Sequence, residues 1–151
     1  MSCIHLCTAL VRRDTRILLV ASTYPNHAQP LWNMPGGRQR SGELLEETAA
    51  RELAEETGMR GRVQELCYVS ESYDGDVHFT NFTFAVEADG EPEAPHVEAD
   101  HVVQAAWVPI ADIADRIQVR VVREPLIAYL AGAARRYAGY ADAGISIEFP
   151  D

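Results

Sequence analysis

The stretch from Gly37 to Met59, GRQRSGELLEETAARELAEETGM, constrains this chain more than any other. Glu52, Glu55 and Glu56 recur at spacings of three and four, so on a helix their carboxylates project to one side. Ala49, Ala50, Leu53 and Ala54 fill the adjoining sector. A helix built this way packs a small-residue face on a sheet and turns a carboxylate face to a cleft. Carboxylates this close repel one another, which favours a divalent cation among them, and hard oxygen donors select Mg²⁺ or Mn²⁺ over zinc. Glutamate-rich helix faces are most often plain solvated surface. Here Trp32, Pro35, Gly36 and Gly37 run directly into the segment, where a surface helix needs only a cap.

The stretch resembles the signature box of the Nudix hydrolases. Gly37 opens it, Glu43 follows, and Arg51, Glu52, Leu53, Glu55, Glu56, Gly58 and Met59 complete it. The resemblance is most specific over residues 31–59 and extends loosely to about residue 137. It implies an α/β/α sandwich with a mixed β-sheet, and a metal-dependent hydrolase acting on a nucleoside diphosphate linked to another group. Such enzymes cut a pyrophosphate bond by attack of water. Carried onto this chain, the resemblance makes Glu52, Glu55 and Glu56 the ligands of Mg²⁺ or Mn²⁺, with a carbonyl near Gly36 or Gly37 assisting. Glu52 or Glu55 accepts the water proton. Arg51 takes no proton, because a guanidinium stays charged; it positions the loop and helix through Glu43, although helical spacing also offers it Glu47 or Glu55.

The family often places an auxiliary acid shortly before its last strand. His101 stands where that acid is expected, counting back from Trp107, which leaves the role among Glu98, Asp100 and His101 or makes them solvated loop residues. Substrate markers outside the box point away from two subgroups. Asp74 occupies the position of the ADP-ribose proline, and Tyr73 lies slightly too near the box for the dinucleoside polyphosphate tyrosine. Nucleoside triphosphates and nucleotide sugars remain, with Tyr24, Trp32, Tyr73 or Phe79 available either to stack a base or to pack in the core. The alternative is a non-catalytic nucleotide-binding or regulatory protein that keeps the fold.

At 151 residues and 47% hydrophobic, the chain reads as one domain, 1–151, with a possible C-terminal extension at 139–151. The formal charge of −10 repels a long nucleic acid over most of the surface, while a small polyphosphate is received locally by metal ions and arginines. No apolar run is long enough to span a bilayer, and MSCIHLCTALVRRD lacks the pattern of a secretory leader. Cys3, Cys7 and Cys67 form no close pair, which favours a reduced, cytoplasmic protein with cysteines as small core residues.

Alternation predicts strands over 3–12 and 16–22, with a polar turn at Arg13, Asp14 and Thr15. Residues 23–37 read as loop with a short strand and turn before the box, Gly36 and Gly37 permitting close backbone approach. A helix is expected over 43–57, with Ser41 as a candidate cap and Gly58 as its end. Strands follow at 62–73 and 76–88 around Asp74-Gly75, then an acidic loop to 100 and a strand at 102–108. Residues 110–117 form a short helix or turn with Asp112 and Asp115 toward solvent. A second helix is expected from 119 to about 137, covering a sheet face opposite or beside the first, with Pro125 in its first turn or at a kink. Ile145, Ser146, Ile147, Glu148 and Phe149 alternate, which suggests an edge strand, a homodimer contact, or disorder.

Overall fold

The computed structural model describes residues 2–93 and 101–149. In chain order the strands are β1 (Ser2–Leu10), β2 (Arg12–Arg13), β3 (Arg16–Ser22), β4 (Leu31–Asn33) and β5 (Gly36–Arg38). Helix α1 (Leu45–Thr57) follows, then β6 (Gly61–Asp74), β7 (Val77–Ala88) and β8 (Val102–Pro109). A 3-10 turn at Ile110–Asp112 leads into α2 (Ile113–Arg116), α3 (Arg120–Leu130) and β9 (Tyr137–Tyr140).

Among the described residues, one sheet runs β5-β1-β7-β6-β9. In it β1–β7 and β6–β9 are parallel, while β1–β5 and β6–β7 are antiparallel. A second, antiparallel sheet centres on β3, which pairs with β2, β4 and β8. Side chains alternate across the strands and so feed two apolar layers. Ala9, Val11, Leu18 and Val86 join Leu53 of α1 on one side. Leu10, Ile17, Leu19 and Val108 join Ile113 and Leu126 of α2 and α3 on the other. The result is the α/β/α sandwich with mixed pairing, α1 and α3 covering opposite layers.

Three local features fix the β2–β3 turn and the two ends of α1. Asp14 takes the left-handed conformation (φ 55°) that the tight β2–β3 turn requires. Gly58 ends α1 in the same region, at φ 74°, its N–H donating to the Ala54 carbonyl at 2.8 Å. At the other end of α1 the cap is Leu44 rather than Ser41: the Leu44 N–H donates to Glu47 Oε1 at 2.7 Å, and Glu46 and Glu47 place negative charge in the first turn. Among the described residues no helix is long and apolar enough to cross a membrane. Cys7 and Cys67 are buried packing residues.

Three expectations are corrected. Gly36 and Gly37 form a strand on β1 instead of a turn, registered at Thr8 and Cys7. The second helix stops at Leu130, because Gly132 reverses the chain at φ 85°, and Tyr137 enters a strand parallel to β6. Pro125 stands inside that helix, beyond its first turn. The tail at 145–149 pairs in no sheet. Its side chains alternate inward and outward against its own chain, so the expected edge strand is absent. Glu98 and Asp100 lie outside the described residues.

Candidate active site

Helix α1 rests on β1, β5, β6 and β7; Gly36 lets β5 lie close on β1, and Gly37 lets the helix carboxylates lie close on β5. A Cβ on Gly36 would strike the Cys7 carbonyl and the Thr8 backbone, while one on Gly37 would stand 2.5 Å from Glu52 Oε1. The carboxylate face of the helix therefore lies directly against β5.

Arg51 organises that face. Its Nε and Nη2 donate to both oxygens of Glu43, the second at 3.1 Å, and Nη2 also donates to the Arg38 carbonyl at 2.9 Å. Its Nη1 bridges Glu52 Oε1 at 2.8 Å and Glu55 Oε1 at 2.7 Å. Glu43 further accepts from the Arg40 N–H at 3.0 Å and the Thr48 hydroxyl at 2.8 Å. Hydrogen bonds from Arg51, with those from Arg40 and Thr48, hold the Glu43 carboxyl down at about 2. Burial opposes the charge on Arg51, but hydrogen bonds to Glu43, Glu55 and Glu52 outweigh it and raise its pKa.

Glu52 and Glu56 behave in the opposite way. Burial, with the neighbouring Glu56 charge, pushes Glu52 up to about 7 despite Arg51. Glu56, only 3% exposed, is likewise raised by burial, against the Gly36 N–H that donates to its Oε1 at 2.9 Å and His101, whose Nε2 lies 3.4 Å from its Oε2. Like-charged carboxylates have been drawn from water with the Arg51 guanidinium among them and the more exposed Arg40 reaching Glu55 at 3.4 Å.

Two cavities adjoin this face. The first, about 250 Å³, is lined by Glu52, Glu56 and His101 together with Arg38 and Arg40, and Arg40 also pairs with Glu55 at 3.4 Å. The second, about 130 Å³, lies toward β6, β7 and the tail. Tyr24, Asn33, Gly36, Gly37 and Phe149 border both. Of the aromatic candidates, Tyr24 and Phe79 line the second cavity. Trp32 and Tyr73 line neither: Trp32 sits under the Arg116 guanidinium, 4.8 Å from its ring centre, and Tyr73 stacks on His78 at 4.5 Å. Arg38, Arg40, Asn33 and Phe149 had not been singled out. The alternation ending at Phe149 was the available signal for the last of these, but period two also describes a paired strand.

The donor set fits a hard dication in kind, being carboxylate oxygens around a deficit of positive charge. As placed, Glu52 and Glu55 turn to Arg51, while Glu56 turns to Gly36 and His101. Accordingly, no group of three His, Cys, Asp or Glu among the described residues is arranged to hold a metal ion.

The NUDIX domain model matches residues 4–130. The chain is similar to the phosphatase NudJ of Escherichia coli K12, 34% identical over 121 residues that make up 79% of this chain and 74% of that protein. A NUDIX hydrolase from Nitrosomonas europaea shares the fold with a TM-score of 0.76 at 19% identity, covering 94% of this chain and 80% of the other. A MutT protein from Bacillus halodurans does so with a TM-score of 0.72 at 18% identity, covering 95% and 94%.

Proposed function

The chain belongs to the Nudix hydrolase family, and from that premise we propose that it hydrolyses a pyrophosphate bond in a small nucleoside diphosphate-linked substrate with the help of Mg²⁺ or Mn²⁺. The substrate class is a nucleoside triphosphate or a nucleotide sugar. The observation that carries this reading is a single cavity lined both by Glu52 and Glu56 and by Arg38 and Arg40. An acidic wall suits a cation and the arginines suit a polyphosphate. The Escherichia coli relative is named a phosphatase, which agrees with hydrolysis at phosphorus.

Glu52, Glu55 and Glu56 would hold the dication, which supplies Lewis-acid stabilisation of phosphoryl charge and promotes attack by water. Arg38 and Arg40 neutralise and orient the phosphates. The Glu52–Glu55 pair, bridged by Arg51 Nη1, accepts the water proton at one of its oxygens. Arg51 and Glu43 are positioning residues that hold the β5–α1 loop to the helix. His101 steadies Glu56 from the β8 side. The chain functions as a single domain with residues 139–151 as an extension.

Purified protein should release product from at least one member of a panel of nucleoside triphosphates, nucleotide sugars, ADP-ribose and dinucleoside polyphosphates when Mg²⁺ or Mn²⁺ is added. Glu56→Gln should cut turnover at limiting metal at least tenfold while the folded fraction stays near wild type. Folded protein that binds these ligands but turns none over would point instead to a non-catalytic nucleotide-binding protein.

A further inference from the structure

The C-terminal strap, residues 143–149, lies beyond residues 4–130, the part matched by the family model. It is nevertheless tied down on two sides. The Ala143 N–H donates to the Tyr73 carbonyl at 2.9 Å, and the Ser146 hydroxyl donates to Asp74 Oδ2 at 2.8 Å, both at the tip of the β6–β7 hairpin. From the β3–β4 loop, Asn26 Nδ2 donates to the Ser146 carbonyl at 2.7 Å, and Asn26 Oδ1 accepts from the Glu148 N–H at 2.9 Å. His27 Nε2 lies 2.8 Å from the same carbonyl. Gly144, Ser146 and Glu148 face solvent, while Ala143, Ile145, Ile147 and Phe149 face inward.

The inward row lines the smaller cavity together with Tyr24 and Phe79, and its polar lining comprises Thr8, Ser70, Ser72 and Asn81 with the acidic Glu71 and Asp74. Phe149 stands at the doorway between the two cavities. Its ring centre is 5.9 Å from both Tyr24 and Phe79, and the Arg38 guanidinium lies 5.1 Å from it. A ligand whose phosphates reach Arg38 and the carboxylates would pass its remaining group by Phe149 into this chamber. An apolar cavity of about 150 Å³ accepts a benzene-sized molecule, so the walled part of the chamber, at about 130 Å³, matches one six-membered ring, and a larger group would have to extend past Phe149 toward solvent. Glu71 is engaged by His78 and Tyr137 and Asp74 by Ser146, so the apolar wall with its hydroxyl and amide groups suits an uncharged, planar, hydrogen-bonding ring.

We propose that residues 143–149 form a specificity wall, with Phe149 limiting the group attached to the diphosphate to a single pyrimidine-sized ring. The proposal rests on the pyrophosphohydrolase reading above and deepens it. With metal present, wild type should favour CTP or UTP over ATP and GTP at least tenfold in kcat/KM. Phe149→Ala should shrink that ratio at least tenfold, chiefly by lowering KM for the two-ring substrates. Ile147→Ala, which enlarges the chamber away from the doorway, should move the ratio the same way and serves if Phe149→Ala does not fold. Calorimetric titration with CMP and AMP separates the two readings, since no turnover is needed. Preference for CMP that is lost in the variants supports the wall even if no triphosphate is hydrolysed. Equal hydrolysis of one-ring and two-ring triphosphates by wild type, or a ratio unchanged in both folded variants, overturns the wall and leaves the hydrolase reading standing.

Discussion

Replacing Glu52 by glutamine should make the metal-free protein more stable while disabling it. Burial and the Glu56 charge lift this carboxyl from 4.5 to about 7. Between those values the folded chain keeps a proton that the unfolded chain has released, so stability falls as pH rises across that window. Above pH 7 the full cost is about 3 kcal/mol, at roughly 1.4 kcal/mol for each pH unit. The side chain is only 15% exposed, so solvent screens little of it. Coupling to Arg51 offsets part of the gain, because glutamine is a weaker acceptor for Nη1, although Arg51 keeps Glu43 and Glu55. A net gain of about 1–3 kcal/mol at pH 8 is expected, roughly 2–12 °C in Tm for a chain of this size. At pH 4, where both forms are neutral, the gain should vanish. The assay is thermal unfolding in chelator at pH 4 and pH 8, repeated with Mn²⁺. Manganese should raise the wild-type Tm at pH 8, since binding to the folded state alone stabilises it, and should raise that of Glu52→Gln far less. Identical Tm values for the two proteins at pH 8 without metal would refute the reasoning.

Arg51→Ala leaves Glu43, Glu52 and Glu55 without their shared counterion and should cost on the order of 2–4 kcal/mol, with turnover reduced at least tenfold. Arg51→Lys should recover little of the turnover, because an ammonium cannot reproduce the guanidinium fork; full activity in either variant contradicts a positioning role. The neighbouring glycines should separate fold from site. Gly36→Ala meets backbone atoms of Cys7 and Thr8 that have no room to give and should lower stability by about 1–3 kcal/mol in urea unfolding. Gly37→Ala meets the movable end of Glu52, so it should leave stability within about 1 kcal/mol and weaken Mn²⁺ binding in a calorimetric titration.

The helix with its carboxylates was legible because spacing alone puts Glu52, Glu55 and Glu56 on one side, and Gly58 supplies the left-handed end that such a helix needs. The β6–β7 hairpin was equally plain from Asp74-Gly75, and Gly75 does take a positive φ, 58°. The end of α3 was harder to read. Tyr137 continues an apolar helical spacing on paper, but Gly132 breaks the helix and pairing with β6 captures the aromatic residues. The tail misled for a related reason. Period two reports an extended chain with one inward face, and that is true of residues 143–149, yet it says nothing of whether the neighbour is a strand or a cavity. Aromatic identity was no guide to location, since Trp32 and Tyr73 differ from Tyr24 and Phe79 only in where the sheets carry them. Arg38 and Arg40 looked like ordinary surface charges until the fold brought them to the cavity that Glu52 and Glu56 also line.

The parallel pairing of β1 with β7 has a consequence for synthesis on the ribosome. Thr8 of β1 and Thr83 of β7, whose hydroxyls meet at 2.7 Å, are separated by 75 positions in the chain. At about 5–20 residues per second, β1 waits roughly 4–15 s for that neighbour. Its apolar residues need shelter throughout the interval, and α1 emerges before the sheet it will lie on is complete. The strap is made later still. A nascent chain therefore completes the helix that carries Glu52, Glu55 and Glu56 before β7 and β8 arrive to finish the two sheets, and residues 143–149 follow all of them.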